Sequence, residues 1–237
     1  MSGDFFSFER VVKYFPKVLS KFPVTINIVL VSITIALVLG TIVALVRIKK
    51  IPILSQLAVI FVSFVRGTPI LVQLFLIYYG IPLFAVWMFG SNITTNWNKL
   101  IFVYIAYGLN EAGFLSEHIR AAIQSVPAGQ TEAGLTIGLT GTQTFVRIIA
   151  PQALRVLLPG FSAMLIGLLP ATSLAYMIGI TDMMGKINQI GVSTYHSLEG
   201  YFCAAIIFVI TSFALERVSV MTIKQLDYEK RTRKANA

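Results

Sequence analysis

Long apolar stretches separated by short polar segments dominate the chain. A helix needs about 20 apolar residues to cross a bilayer, and five stretches reach that length. They cover residues 22–46, 57–81, 100–123, 156–180 and 200–223. The second stretch contains Arg66 followed by the turn-like sequence Gly67, Thr68 and Pro69, which predicts a kink. The pattern therefore predicts an all-α membrane protein with five transmembrane helices.

The segment that precedes the first span has a different pattern. Its apolar residues recur at helical intervals, at Phe5, Phe8, Val12, Phe15, Leu19 and Phe22. Its basic residues occupy the other face, at Arg10, Lys13, Lys17 and Lys21. This arrangement is typical of an amphipathic helix that lies on the membrane surface. We therefore expect an interfacial helix over residues 1–21.

Composition supports a membrane protein. The 237 residues are 56% hydrophobic and 12% charged, whereas about a quarter of the residues in soluble domains are charged. The formal net charge of +9 suits cytoplasmic anchoring and contact with lipid headgroups better than nucleic-acid binding. Because the chain shows no repeat and no separate soluble segment, we expect residues 1–237 to form one transmembrane domain.

The distribution of basic residues predicts the orientation, because short loops rich in Lys and Arg mark the cytoplasmic side. Arg47, Lys49 and Lys50 follow the first span, and the tail 224–237 is also basic. Both are therefore expected in the cytoplasm, which puts the N-terminus outside. The basic residues of 1–21 favour the opposite orientation when considered alone, but a surface helix accounts for them. The loop 82–98 is then external, and its two tryptophans suit an interfacial belt.

A polar segment at 129–147 lies on the cytoplasmic side in this topology. It is longer than a simple connection between two helices requires. Glu132 and Ala133 are good helix formers, Gly138 permits a bend, and Thr140 can cap a following helix. The segment is therefore expected to form a short helix, a turn and a second helix. The side chains of Ala133, Gly134 and Gly138 are small or absent. They predict a low-profile surface, without protruding side chains, that another protein can approach closely.

The sequence EAGLTIGLTGTQTFVRIIAP within this region resembles the EAA signature of permease subunits of bacterial ABC importers. The signature positions are occupied by Glu132, Ala133, Gly138, Ile148 and Pro151. Gly134 and Ala150 stand where the family usually has alanine and leucine. The resemblance implies that the segment is a coupling helix, which sits in a groove of an ATP-binding subunit. Its expected contacts come from Glu132, Ala133, Gly134 and Gly138.

Three further stretches resemble the polar amino acid branch of that family. They are FVRGTPILVQLFLIYYGIP, SEHIRAAIQSVPAGQ and LLPATSLAYMIGI. Pro170 and Ala171 in the last stretch replace a lysine and an aspartate that are common in the family. The resemblance implies a multi-pass permease in the bacterial plasma membrane that imports a polar amino acid. The partners it implies are ATP-binding subunits, a second permease subunit, identical or related, and an extracytoplasmic solute-binding protein.

Energy for such an importer is expected to come from the partner. The chain contains no glycine-rich loop that ends in Lys and then Ser or Thr, the sequence that cradles nucleotide phosphates. We therefore expect no enzyme activity and no cofactor in this chain, and ATP with Mg²⁺ in the partner ATPase. A self-sufficient secondary transporter or channel is the alternative, and it leaves the polar cytoplasmic segment unexplained.

Ionisable residues at membrane depth are costly and are candidates for function. Glu111 lies about eleven residues into the third span, near the middle of the bilayer at about 1.5 Å per residue. Its carboxylate can meet the ammonium group of an amino acid, or it can form a structural pair or a protonated contact between helices. Both possibilities remain open in the sequence.

Other polar residues of the spans are weaker candidates for substrate binding. Thr68 and Gln73 surround the expected kink, while Thr172 and Ser173 follow Pro170, where a broken helix can expose hydroxyl groups to a cavity. Each can equally bond a neighbouring helix. Arg66, together with Thr68, can bind a substrate carboxylate through its guanidinium group, but its favoured role is to hold the kink against its neighbours. Glu117 and Arg120, three residues apart, are expected to form an intrahelical pair.

Overall fold

A computed structural model describes residues 6–91 and 93–235, with side chains as far as residue 225. These residues form helices and loops and contain no strand. The helices are α1 (Phe8–Leu19), α2 (Phe22–Ile48), α3 (Leu54–Gly67), α4 (Ile70–Phe89), α5 (Lys99–Gln124), α6 (Ala128–Thr136), α7 (Gly141–Thr144), α8 (Ala150–Ala171), α9 (Met183–Thr194) and α10 (Leu198–Ala235). A π-helical turn, Phe145–Ile149, joins α7 to α8, and a 3₁₀ helix, Thr172–Ile178, follows α8.

Four helical stretches are long and apolar enough to cross a membrane. They are Phe22–Ile48, Ile70–Phe89, Gly141–Ile178 and Leu198–Gln225. The predicted all-α membrane fold is confirmed at this level. α5 has 26 residues, but its charged residues set it apart from these four apolar stretches. It is also the most enclosed helix, because α2, α3, α4 and α8 all pack against it.

The predicted second span is two helices rather than one kinked helix. α3 ends at Gly67, and α4 begins at Ile70 after two residues in extended conformation, Thr68 and Pro69. A proline disfavours helical geometry in the residue before it, and this effect breaks the helix here completely. α4 then continues to Phe89, so the predicted external loop 82–98 is reduced to residues 90–98.

Glycines let the neighbouring helices approach α5 closely. A Cβ atom on Gly108 would lie 2.6 Å from the Ile35 side chain, and one on Gly113 would lie 2.5 Å from Cγ1 of Val65. Within a bilayer, helices associate mainly by such close packing, because the lipid tails are as apolar as the side chains. The position of α5 therefore depends on residues without side chains.

We expect Gly113→Ala to lower the thermal stability of the protein in detergent. The added methyl group meets the stiff, β-branched Val65, and overpacking of this kind costs about 1–3 kcal/mol. Gly167→Ala is the matched control, because nothing lies within 4 Å of its added Cβ and alanine favours a helix. Equal melting temperatures for the two variants would show that the α3–α5 contact does not depend on Gly113.

The predicted interfacial helix corresponds to α1, and the first five residues of the predicted range lie outside the described residues. Phe8 and Val12 on its predicted apolar face are exposed. A second apolar face, which the sequence analysis did not predict, contains Val11, Tyr14 and Val18 and packs on α9 and α10. α1 thus offers one apolar face to its surroundings and one to the protein.

A buried carboxylate fastens the start of α1 to α10. Glu199 is fully buried, and its Oε1 accepts hydrogen bonds from Nε of Arg10 at 2.7 Å and from the backbone N–H of Ser7 at 3.1 Å. Arg10 is therefore part of an internal ion pair, and it counts less toward the basic charge of this segment.

The C-terminal part differs from the prediction in two ways. α9 was not predicted, because its mixture of small and polar residues resembles a loop. The predicted tail 224–237 continues the helix α10 as far as Ala235. The side chains of this tail beyond Gln225, and residues 236–237, lie outside the described part of the chain.

Candidate translocation and coupling sites

The break between α3 and α4 is held by side-chain amides. Nε2 of Gln73 donates to the carbonyl oxygen of Val65 at 2.9 Å and to Oγ1 of Thr68 at 2.9 Å. Oε1 of Gln73 accepts a hydrogen bond from Nδ2 of Asn110 at 3.1 Å. Of the predicted substrate-binding residues, Thr68 and Gln73 therefore meet here, and in this conformation they connect the break to α5.

Glu111 follows Asn110 on α5 and has a different environment. Only 7% of the residue is exposed. No hydrogen bond or ion pair involves its carboxylate within the described part of the chain. Because a buried charge without a partner is costly, a cationic group beside this carboxylate would stabilise its charged form. Glu111 is thus a predicted site residue whose carboxylate is buried and has no partner among the described residues.

The 3₁₀ helix after α8 contains the other two predicted substrate-binding residues. Pro170 precedes the transition, and Gly179 ends the segment with φ +83°. Thr172 is buried, and its hydroxyl donates to the carbonyl oxygen of Leu169 at 2.7 Å. Ser173 is half-buried. The predicted break is thus a change from α-helix to 3₁₀ helix within one continuous helical stretch, and the Thr172 hydroxyl is used within the chain.

α5 holds both ends of this 3₁₀ segment. The Tyr107 hydroxyl donates to the carbonyl oxygen of Ala171 at 2.8 Å, and Nζ of Lys99 donates to that of Ile178 at 3.0 Å. The two donors are eight residues apart, or about 12 Å along a helix. Seven residues of 3₁₀ helix span a similar length, about 14 Å. Sequence reasoning missed both donors, because nothing local indicates which distant carbonyl groups they reach.

The predicted coupling segment forms α6 and the turn after it. Gly138 has φ +84°, and the N–H of Leu139 donates to the carbonyl oxygen of Gly134 at 3.1 Å, which closes the helix. Thr140 and Gln143 then cap α7 reciprocally, so the predicted bend and cap are confirmed.

Gly134 faces inward rather than outward. A Cβ atom there would lie 2.6 Å from Cγ2 of Thr144 and 3.1 Å from Cδ1 of Ile148. The small residue therefore allows α6 to pack on α7 and the π-helical turn, and it does not itself form the predicted low-profile surface. Glu132, Ala133 and Gly138 are exposed, as expected for a contact surface.

Two exposed apolar residues accompany these three. Leu135 is 50% exposed and Ile137 is 74% exposed. Together with Glu132, Ala133 and Gly138 they form what we call the coupling patch. Sequence reasoning did not select Leu135 or Ile137, although large apolar residues in a polar segment are a recognisable signal of an interface.

Charged residues at the same end of the bundle join α2 to α5. Glu117 bonds Arg120 at 2.8 Å, as predicted, and it also bonds Arg47 at the end of α2. Both arginines pair with this one half-buried carboxylate, so the network joins the two helices and is structural. His118 packs beside Gly160, and the described residues include no group of three or more side chains that could hold a metal ion. Arg66 lies 5.9 Å from the ring centre of Phe114.

The described part of the chain combines four helices of membrane-spanning length with an exposed apolar patch on a polar segment. This combination is typical of a membrane transport subunit. The chain belongs to the family of binding-protein-dependent transport system inner membrane components, whose model matches residues 36–222. The family resemblance predicted from the polar segment is thereby confirmed.

Known relatives are similar over most of their length. The L-cystine transport system permease protein TcyL of Bacillus subtilis is 42% identical over 190 residues, which cover 79% of each chain. The probable amino-acid ABC transporter permease protein PatM of Vibrio harveyi is 36% identical over 189 residues, covering 80% of this chain and 82% of PatM. A crystal structure of an amino acid ABC transporter with histidines matches with a TM-score of 0.80 and 29% identity, over 95% of this chain and 100% of that chain.

Proposed function

We propose that this chain is the permease subunit of an ATP-driven importer for polar amino acids in the bacterial plasma membrane. The coupling patch is the observation that carries the proposal. It presents two large exposed apolar residues beside Glu132, with Leu135 on α6 and Ile137 directly after this helix. Exposed apolar patches of this kind mark contact sites for other proteins. In the proposed importer this patch docks on an ATP-binding subunit, which binds ATP and Mg²⁺ and hydrolyses the nucleotide.

The proposed topology has five crossings, formed by α2, α4, α5, α8 with its 3₁₀ extension, and α10. α3 has 14 residues, or about 21 Å, which is too short to cross alone. With the basic residues after α2 and in the C-terminal tail on the inner side, five crossings put α6 and the C-terminus in the cytoplasm, and α1, α9 and the loop 90–98 outside. The internal Arg10–Glu199 pair supports this orientation, because it removes one basic residue from the outer side.

The proposed substrate path passes Glu111. The carboxylate would bind the ammonium group of the amino acid, and the broken segment with Ser173 would lie beside the path. The names of the relatives support the amino acid class, since TcyL is an L-cystine permease and PatM a probable amino-acid permease. A second permease subunit would complete the path, and a solute-binding protein outside the cell would deliver the substrate.

A pull-down from native membranes in mild detergent tests the docking. We expect an ATPase to be recovered with the wild-type chain and to be lost with Ile137→Asp, which puts a charge in the coupling patch. Ile93→Asp is the matched control, because Ile93 is also exposed but lies in the loop before α5. An intact wild-type chain that recovers no ATPase would favour the self-sufficient transporter.

A further inference from the structure

The structure contains a second candidate ligand site at the end of the bundle opposite α6. A cavity of about 540 Å³ lies where α4 ends and α5 begins, within the range of about 300–1,000 Å³ that is usual for small-molecule sites. Its lining includes Tyr78, Tyr79, Thr95, Trp97, Lys99 and Phe102. We propose that this outer cavity binds the carboxylate of an amino acid before it reaches Glu111, with Lys99 as the anchoring cation. This inference rests on the proposed function.

Lys99 has donors available for an anion. Its Nζ donates to the carbonyl oxygen of Ile178 at 3.0 Å and lies 6.0 Å from the ring centre of Tyr78. An ammonium group has three donors, so one bond to a carbonyl oxygen leaves capacity for a carboxylate. No acidic side chain is among the described residues that line the cavity. None of these lining residues therefore neutralises the positive charge of Lys99.

The aromatic walls suit the other end of a zwitterion. Tyr79 is 59% exposed and Trp97 is 39% exposed, so parts of both side chains remain open to a ligand. The faces of such rings attract ammonium groups. An amino acid can thus place its carboxylate at Lys99 and its ammonium group over a ring, whereas a simple anion uses only the first contact.

The outer cavity and Glu111 are separate sites. Lys99 and Glu111 are twelve residues apart on α5, which is about 18 Å along a helix, and this distance exceeds the reach of a single small amino acid. The substrate would therefore occupy them in succession. Lys99 also holds the end of the 3₁₀ segment, so a carboxylate that draws Nζ away from Ile178 would loosen the segment that contains Ser173.

Protection of an introduced thiol tests the outer cavity in the full importer. Leu83 lines the cavity and is 71% exposed, while the native Cys203 is buried. Leu83→Cys would be labelled by a membrane-impermeant maleimide in right-side-out vesicles. The probes are L-glutamine, L-arginine and S-methyl-L-cysteine, each compared with its carboxamide, which lacks the carboxylate. ATP-dependent uptake of the same probes is measured in parallel.

We expect an amino acid, but not its carboxamide, to slow the labelling. Lys99→Met should raise the concentration for half-maximal protection about tenfold to a hundredfold, because a hydrogen bond to a charged group is lost. Lys99→Arg should retain protection. Lys99→Gln keeps a donor for Ile178 without the charge, and it should behave like Lys99→Met.

Two results would overturn the inference. One is labelling that no probe slows while Lys99 is present, and the other is full protection in Lys99→Gln. If uptake remains normal in either case, the outer cavity is refuted and the proposed import function stands. If vesicles with the wild-type chain show no ATP-dependent uptake of any amino acid, the proposed function itself fails.

Discussion

Gly134→Val is expected to reduce ATP-driven uptake about a hundredfold, the loss that a displacement of about 1 Å can cause at a site far from the reaction. A Cβ atom at Gly134 would lie 2.6 Å from the Thr144 side chain, which is itself buried. Thr144 is β-branched and follows the capped first turn of α7, so it has little room to move. α6 must therefore tilt away and carry the coupling patch with it.

Gly129→Val on the same helix is the matched control for this variant. It has the same unfavourable helix propensity, but nothing lies within 4 Å of its added Cβ. We expect it to retain uptake. Thr144→Ala should partly restore uptake in the Gly134→Val background, because it removes the obstructing methyl and hydroxyl groups. Equal uptake by the Gly134 and Gly129 variants would show that the packing of α6 does not control coupling.

Glu111→Gln is expected to raise the substrate concentration for half-maximal uptake about tenfold to a hundredfold. The substitution keeps the size of the side chain and removes the charge that would bind the substrate ammonium group, and hydrogen bonds to charged groups contribute about 1.5–3 kcal/mol. The wild-type carboxylate has no partner among the described residues, so its removal breaks no contact that they show. Thermal stability should therefore not fall.

Glu117→Gln gives the opposite pattern and serves as the control on the same helix. Glu117 bonds Arg47 and Arg120, so loss of its charge should lower the melting temperature and leave the half-saturating concentration unchanged. The initial rate of uptake over a range of substrate concentrations separates the two effects. A Glu111→Gln protein with wild-type affinity and wild-type substrate choice would remove Glu111 from the substrate path.

Local patterns were sufficient for much of the fold. Apolar stretches predicted α2, α8 and α10, although α3 and α4 were merged into one kinked span. The glycine and threonine of the polar segment predicted the bend at Gly138 and the cap at Thr140. These features depend on residues that are close in the chain. The family resemblance was recognised for the same reason, since its signature is contained within about twenty residues.

Features that depend on distant partners could not be predicted. Gln73 reaches Val65 and Asn110, and Lys99 reaches Ile178, so the role of each amide or ammonium group depends on the packing of several helices. Gly134 illustrates the same limit, because a small residue serves equally well under a partner protein and under Thr144. The sequence shows that a side chain is small or polar, while the packing decides what it contacts.

Uptake by purified components tests the central claim most directly. The chain would be reconstituted in liposomes with its ATPase and its solute-binding protein, and then alone, with radiolabelled polar amino acids outside. We expect uptake only from the complete system and only with hydrolysable ATP inside the liposomes. Uptake by the chain alone, driven by an ion gradient and indifferent to ATP, would contradict the account.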